Sequence, residues 1–335
     1  MKKLQVPFNL DMDVLEIYEI WSDYIAEIYF PLHPSVFPSA RQNDYPEVNQ
    51  YNKWLDELIH RMKNVNINTM LLLNGTKVDY VNDLLTAVAA YLEVLSAWGL
   101  TGVVVADPIL AEWVHNNFPN LKIRLSVLSN IFTIQKIKEI ESLGYIKEIC
   151  LPHEVNRDKE FLQRLHKESK LDFSVIVNSA CRIHCGVFYW HQSAFNSNCG
   201  WTDNNSSELR YSLYSLTNRF SPNILKAPFI LPEELMYYDE YFHQFKLEDR
   251  TIPTAHIKMI LESYALRVNP ENLISCLSGS CMKIQEYIKV RDLDIKWRNY
   301  IQTCKGECWN CNYCDRIMDK IKEAHQCSVE TPHSE

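Results

Sequence analysis

Residues 84–108, LLTAVAAYLEVLSAWGLTGVVVADP, decide the fold of this chain. Apolar residues recur there with the helical period at Leu84, Val88, Leu92 and Leu95. Gly99 follows as a helix stop, and the short apolar run Val103–Ala106 predicts a buried strand. Asp107 and Pro108 then supply the cap and first-turn proline of another helix. Helices alternating with short buried strands are typical of a parallel α/β sheet.

The same alternation extends outward in both directions along the chain. Further strands are predicted at Val6–Leu10, Ile25–Leu32, Ile67–Leu73, Ile123–Leu128, Ile146–Leu151 and Phe173–Val177. We expect the eighth strand at Ala227–Leu231, after a polar insertion. Eight units predict a TIM-like (β/α)8 barrel, with an open doubly wound sheet as the rival. No glycine-rich fingerprint follows the first strand, and the chain has only 8 glycines, which disfavours a nucleotide-binding Rossmann fold.

The pattern changes after the predicted barrel, which we assign to residues 1–250. Residues 251–325 are expected to form a helical and cysteine-rich C-terminal extension, and residues 326–335 a disordered tail. Helices are predicted at Glu233–Phe242, Ile257–Leu266 and Asp315–Ala324.

Composition narrows the class of protein. The 335 residues are 47% hydrophobic and carry a net charge of −8, which argues against general nucleic-acid binding. No apolar run reaches the roughly 18–20 residues that a membrane helix needs, and the first residues lack the apolar core of a signal peptide. We therefore expect a cytoplasmic protein with no membrane contact. Eleven clustered cysteines in a reducing compartment indicate metal or redox chemistry.

The strongest motif lies near the C-terminus, where four thiols fall within a short segment: Cys304, Cys308, Cys311 and Cys314. Thiolates are soft ligands that suit an iron–sulfur cluster, and short spacings let one loop surround it. The alternative is a closed structural zinc site. The first three cysteines also have the CxxxCxxC spacing of radical SAM enzymes. In that class, however, the motif follows the first strand of the barrel.

A second motif follows the strand Phe173–Val177 directly, with Cys181 and Cys185 separated by three residues. Loops at the carboxyl ends of barrel strands build active sites, so this pair is predicted to bind a cofactor at the barrel mouth. It needs two more ligands. The candidates are Cys199, Cys276 and Cys281, with His184 or His191 as substitutes. The alternative for Cys199 and Cys276 is a plain buried thiol.

Polar residues near predicted strand ends complete the candidate site. Glu154 follows His153 and pairs a carboxylate with a possible base, and His191 lies beyond the second cysteine motif. Lys246 and Arg250 are predicted to bind an anion such as a substrate carboxylate. The alternative for this basic pair is a solvated ion pair with Glu248 or Asp249.

The chain resembles the collagenase-like peptidase family in the order of its motifs. The second cysteine motif comes first, then the Pro232-Glu233 helix start, the basic pair and the C-terminal cysteines. That family includes the iron–sulfur proteins of oxygen-independent ubiquinone hydroxylation and enzymes that hydroxylate RNA bases. The resemblance covers roughly residues 67–250. It implies a barrel with a 4Fe–4S cluster at its mouth, with Cys181 and Cys185 as the first ligand pair and Lys246 and Arg250 as the late basic pair.

The chain departs from the family pattern at two points. Asn178-Ser-Ala stands where the family has a glycine-rich stretch, and the third and fourth cluster ligands are not evident. We take Cys199 and Cys281 as the candidates for them. The C-terminal cysteines then predict a second site, so the chain would hold one or two clusters.

These observations lead to three hypotheses. The leading one is an iron–sulfur barrel enzyme that carries out an oxygen-independent, hydroxylation-type redox modification of a small molecule or peptide. The second is a non-catalytic electron-transfer or scaffold subunit that binds a protein partner. The third is a zinc-dependent hydrolase or peptidase, although neither an HExxH nor a GxSxG motif occurs in the sequence.

Overall fold

The computed structural model describes residues 2–38, 45–76, 78, 82–181, 183–186, 188, 224–248, 250–278 and 288–329. Within these ranges, eight parallel strands close into a barrel in chain order, each paired with its sequence neighbours and the first with the last. The strands are β1 (Leu4–Pro7), β2 (Ile25–Pro31), β3 (Asn68–Leu73), β4 (Gly102–Val105), β5 (Lys122–Leu125), β6 (Ile146–Leu151), β7 (Asp172–Ile176) and β8 (Gln244–Lys246). The predicted TIM-like barrel is therefore confirmed.

Helices in the described ranges lie between the strands and after β8. They are α1 (Val14–Ile20), α2 (Val48–Asn64), α3 (Asn82–Trp98), α4 (Pro108–Asn117), α5 (Ile134–Ser142), α6 (Lys159–Glu168), α7 (Thr254–Leu266), α8 (Ile295–Ile301) and α9 (Tyr313–Val329). The predicted start of α4 is confirmed, because the Asp107 carboxylate accepts a hydrogen bond of 2.8 Å from the Ile109 N–H. Gly99 ends α3 with a φ of +123°, a conformation that favours glycine.

The prediction for the eighth strand was wrong. Ala227–Leu231 is an irregular buried segment with a proline at its second position, and its Ile230 N–H donates to the Val177 carbonyl at 2.8 Å. The true strand, Gln244–Lys246, has one apolar residue between two polar ones that face the barrel interior. A search for apolar runs therefore misses it.

Two predictions near the C-terminus also differ from the structure. The segment predicted as the helix Glu233–Phe242 is a 3-10 helix over Pro232–Tyr237. Helix α9 continues to Val329, so the first residues of the predicted disordered tail are helical. Residues 330–335 lie outside the described residues. In the described part of the chain, no helix is both long enough and apolar enough to cross a membrane.

The barrel separates two apolar groups of side chains. Outward-facing residues of the strands pack under the helices in one large core, as Ile28 and Val103 do. Inward-facing residues alternate with them along each strand. A small apolar cluster, Tyr29, Met70, Leu72 and Val104, is thus enclosed by the barrel and separate from the main core.

The amino-terminal half of the barrel interior holds a layer of polar side chains that we name the charged layer: Gln5, Glu27, Arg124, Glu148 and Gln244. The Arg124 guanidinium donates to both carboxylate oxygens of Glu27 and to Glu148 Oε2 at 2.8 Å. Lys122 reaches the same Glu148 oxygen at 3.0 Å. Burial alone would raise the pKa of Glu148, but the charges of Arg124 and Lys122 hold it at about 2.

Candidate functional site

A second interior layer lies two residues further along the strands, toward the carboxyl ends where barrel enzymes build their active sites. Lys246 follows Gln244 on β8, and its Nζ lies 4.3 Å from the centre of the Tyr29 ring. Cys150 follows Glu148 on β6 and is buried beside them. Burial lowers the pKa of the Lys246 amine and raises that of the Cys150 thiol. The layer therefore holds an amine that is less basic than an exposed lysine and a thiol that is less acidic than an exposed cysteine.

Arg250 belongs to the same neighbourhood. It is only 5% exposed, and its positive charge lowers the pKa of Lys246 and opposes the burial that raises the pKa of Tyr51. The structure thus brings the predicted basic pair together. Both residues are buried, and the alternative of an ion pair with Glu248 or Asp249 stays open because Asp249 lies outside the described residues.

Asn178 connects this neighbourhood to the second cysteine motif. Its side chain donates to the Glu248 carbonyl at 3.0 Å and accepts from the Glu248 N–H at 2.8 Å. The loop that begins with Asn178 and carries Cys181 is therefore fixed to the segment that follows β8. Both cysteines of the motif are partly exposed.

Glu154 has different neighbours. It lies in the 3-10 helix His153–Arg157 that follows β6, and its carboxylate is 3.7 Å from Nε2 of His153. The His153 ring is buried and meets the Phe188 ring edge-on at 5.2 Å between centroids. The predicted catalytic residues therefore fall into two groups, an acid beside a histidine and a basic pair beside two tyrosines. His191 lies outside the described residues.

The C-terminal cysteines surround a single cavity of about 440 Å³, which we name the cysteine cavity. Three of the thiols lie in the segment between α8 and α9 and the fourth in the first turn of α9: Cys304, Cys308, Cys311 and Cys314. Cys314 is buried and the other three are partly exposed. Among the described residues, no three His, Cys, Asp or Glu side chains are placed to share one metal ion. By its chemistry, a set of four thiolates fits either an iron–sulfur cluster or a zinc ion.

The two cysteine motifs lie against each other, although the sequence placed them in separate sites. His184 Nε2 lies 3.1 Å from the Lys305 carbonyl, and the Ile183 N–H donates to the Lys226 carbonyl at 3.5 Å. Gly306 has a φ of +73°, and a Cβ there would lie 2.8 Å from His184. Glycine is thus required for this contact. The loop containing Cys181 and Cys185 therefore packs directly on the wall of the cysteine cavity.

The remaining predicted ligands do not join these groups in the described structure. Cys199 and Cys281 lie outside the described residues. Cys276 is a buried thiol that donates to the Leu273 carbonyl at 3.3 Å, and burial raises its pKa to about 12. It matches the plain buried thiol that the sequence allowed.

Arg157 is a site residue that the sequence did not indicate. It lines the cysteine cavity, is 3% exposed, and donates to the carbonyls of Leu225 and Ala227. Burial raises the pKa of the Cys314 thiol, and the nearby charge of Arg157 opposes that rise. Tyr29 and Cys150 were also missed, although strict alternation along β2 and β6 would have placed both inside the barrel.

The fold and the paired cysteine motifs define a cysteine-rich α/β barrel, and comparison with known proteins assigns its family. The sequence matches Peptidase family U32 over residues 27–266, so the chain belongs to that family. An uncharacterized protease of Methanocaldococcus jannaschii is 26% identical over 231 residues, which span 66% of this chain and 66% of the length of that relative. A solved U32 peptidase structure, 16% identical, has a TM-score of 0.54 and covers 74% of this chain and 93% of its own. The predicted family is confirmed.

Proposed function

We propose that this protein is a cytoplasmic iron–sulfur barrel enzyme that carries out an oxygen-independent, hydroxylation-type redox modification of a small molecule or peptide. The observation that carries the proposal is the cysteine cavity, where four thiols line one space of about 440 Å³. Cys304, Cys308, Cys311 and Cys314 would hold a 4Fe–4S cluster there. The chemistry that such a cluster supplies is electron transfer at a potential set by its surroundings.

The chain's own residues would bind and orient the substrate. Lys246 and Arg250 lie together at the carboxyl side of the barrel interior and suit an anionic group such as a carboxylate. The ring of Tyr29 would fix the position of the Lys246 ammonium. The His153–Glu154 pair is the candidate for moving a proton. A second cluster at Cys181, Cys185, Cys199 and Cys281 remains a prediction.

Two other functions are distinguishable from this one. A zinc-dependent peptidase is suggested only by the names of the relatives, an uncharacterized protease and a U32 peptidase. It requires stoichiometric zinc and no iron. An electron-transfer or scaffold subunit that binds a protein partner requires iron but no buried substrate site. In that case, replacement of the Lys246 amine would leave the rate of electron transfer through the complex unchanged.

The test is the metal and sulfide content of protein purified without oxygen, for wild type, Cys311→Ala and Cys276→Ala. The cysteine cavity predicts about four iron atoms and as many acid-labile sulfides for one 4Fe–4S cluster. These are lost in Cys311→Ala and kept in Cys276→Ala, which removes a buried thiol elsewhere. Stoichiometric zinc without iron, lost in the first variant, would contradict the proposal and make the site a structural zinc centre.

A further inference from the structure

Arg157 carries a positive charge into the interior beside the cysteine cavity, and none of the described residues forms an ion pair with it. It follows β6 and is 3% exposed. Its Nη2 donates to the carbonyls of Leu225 and Ala227, while its buried Nε–H has no hydrogen-bond partner in the structure. Across the described part of the chain, no carboxylate oxygen lies within ion-pair distance of its guanidinium.

Such an arrangement is costly unless something else neutralises the charge. Carbonyl oxygens satisfy hydrogen bonds but carry no net charge, and a buried ion without a counter-ion loses several kcal/mol of hydration. Glu234 interacts with Arg157 electrostatically without forming an ion pair. Its carboxylate accepts a hydrogen bond from the Leu231 N–H instead. Burial also raises the pKa of the Glu234 carboxyl.

The other cations that line the cysteine cavity differ from Arg157. Lys226 is paired with Asp315, whose Oδ2 lies 2.7 Å from its Nζ. Lys305 belongs to the partly exposed loop between the cysteines, where water screens its charge. Arg157 is thus the buried cation at the cavity whose charge the described residues leave uncompensated. Four thiolates in the same cavity, together with the metal centre they hold, would carry the negative charge that it lacks.

We propose that Arg157 is the buried counter-ion of the anionic metal centre held by the four C-terminal cysteines, and that it raises the reduction potential of that centre. The proposal rests on the proposed function. Reduction adds one negative charge to the centre, and a fixed cation in a poorly hydrated site stabilises the more negative state. Arg157 is a positioning residue for the metal centre. It belongs to the barrel, whereas the cysteine ligands belong to the C-terminal extension.

The experiment is a redox titration of the anaerobically purified protein, followed by electron paramagnetic resonance, for wild type, Arg157→Lys and Arg157→Gln. Arg157→Gln is expected to weaken reduction at least tenfold, a fall of about 59 mV for one electron. Arg157→Lys keeps the charge and should recover most of this change. Arg164→Gln is the matched control, because its side chain is 60% exposed and pairs with Glu168 on the surface of α6.

A structural role for Arg157 would give other results. If its carbonyl contacts alone matter, Arg157→Lys and Arg157→Gln lose the centre, or shift its potential, to the same extent. That outcome would overturn the proposal, as would an unchanged potential in Arg157→Gln. Loss of the centre in Arg157→Gln with retention in Arg157→Lys would support it. Wild-type protein without iron would contradict the proposed function itself, before any Arg157 variant is made.

Thermal unfolding of the loaded and metal-free forms keeps the test decisive if Arg157→Gln folds poorly. Without metal, the buried charge of wild type has lost its partner, so Arg157→Gln should melt at the same or a higher temperature than wild type. With metal, the variant should melt at a lower temperature. An equal loss of melting temperature in both forms would show that Arg157 acts only through its contacts with the chain.

Discussion

The charged layer and the cysteine cavity both place charged groups inside the molecule, but among the described residues only the charged layer pairs its cations with carboxylates. In the charged layer, Glu27 and Glu148 face Arg124 and Lys122, so that two carboxylates meet two cations. At the cysteine cavity, a buried guanidinium stands beside four thiols and no carboxylate pairs with it in the described residues. The ion pairs of the first region form when the barrel closes. For the second region, we propose that a bound metal centre supplies the negative charge.

The largest expected loss of stability comes from removing the central cation of the charged layer. Arg124→Met leaves the carboxylates of Glu27 and Glu148 buried without their counter-ion, and should lower the free energy of unfolding by about 3–5 kcal/mol. Urea unfolding at pH 7 measures this loss. Arg164→Met, which removes an exposed arginine, should change the free energy by less than about 1 kcal/mol. An equally small loss for Arg124→Met would mean that the ion pairs of the charged layer contribute little to the stability of the fold.

Acid is expected to weaken the same region. The pKa of Glu148, about 2 in the folded protein, is lower than the value of about 4.3 in an unfolded chain. Its ionised form therefore stabilises the fold above pH 4.3 or so, by on the order of 3 kcal/mol, and this stabilisation is lost as the pH falls toward 2. Unfolding measured from pH 7 to pH 2 should show a shallower decline for Glu148→Gln. Parallel declines would contradict the assignment.

A smaller effect is expected from disturbing the contact between the two cysteine motifs. Gly306→Ala introduces a Cβ that would lie 2.8 Å from His184 and 3.0 Å from Ile183, at a φ of +73°. We expect a loss of about 1–3 kcal/mol and faster release of metal to a chelator. Gly144→Ala is the matched control, since Gly144 has a φ of +78° but nothing within 4 Å of the added Cβ. Equal losses and equal metal release in both variants would show that the contact with His184 is unimportant.

The smallest expected effect concerns Lys246. Burial lowers the pKa of its amine, so its charged form is less favoured in the folded protein than in the unfolded chain. Lys246→Met should therefore stabilise the protein at pH 7, and wild type should regain stability relative to the variant as the pH rises toward 10. Unfolding at pH 7, 8.5 and 10 measures the difference. A difference that does not change with pH would show that the amine titrates normally.

The sequence was sufficient for the barrel and for the C-terminal cysteine group, because both depend on local patterns. Helical period, short apolar runs and closely spaced cysteines are visible without a structure. Strand β8 was missed because its inward-facing residues, Gln244 and Lys246, are polar and belong to the barrel interior. Arg157 was missed for a different reason. The carbonyls and thiols around it come from distant parts of the chain, and no local sequence pattern predicts that they come together.

The wall of the cysteine cavity has a consequence for the order in which the protein is assembled. The four cysteines lie close together in the chain and follow the barrel strands, whereas Arg157 and Lys226 lie far from them in sequence and meet them through the fold of the barrel. If the cysteines hold the proposed metal centre, an unfolded chain could capture metal with them alone, but the complete wall exists only in a folded barrel. Loading should therefore occur in two stages, a loose capture followed by a locking step. Firm retention of metal then signals that the rest of the chain has folded.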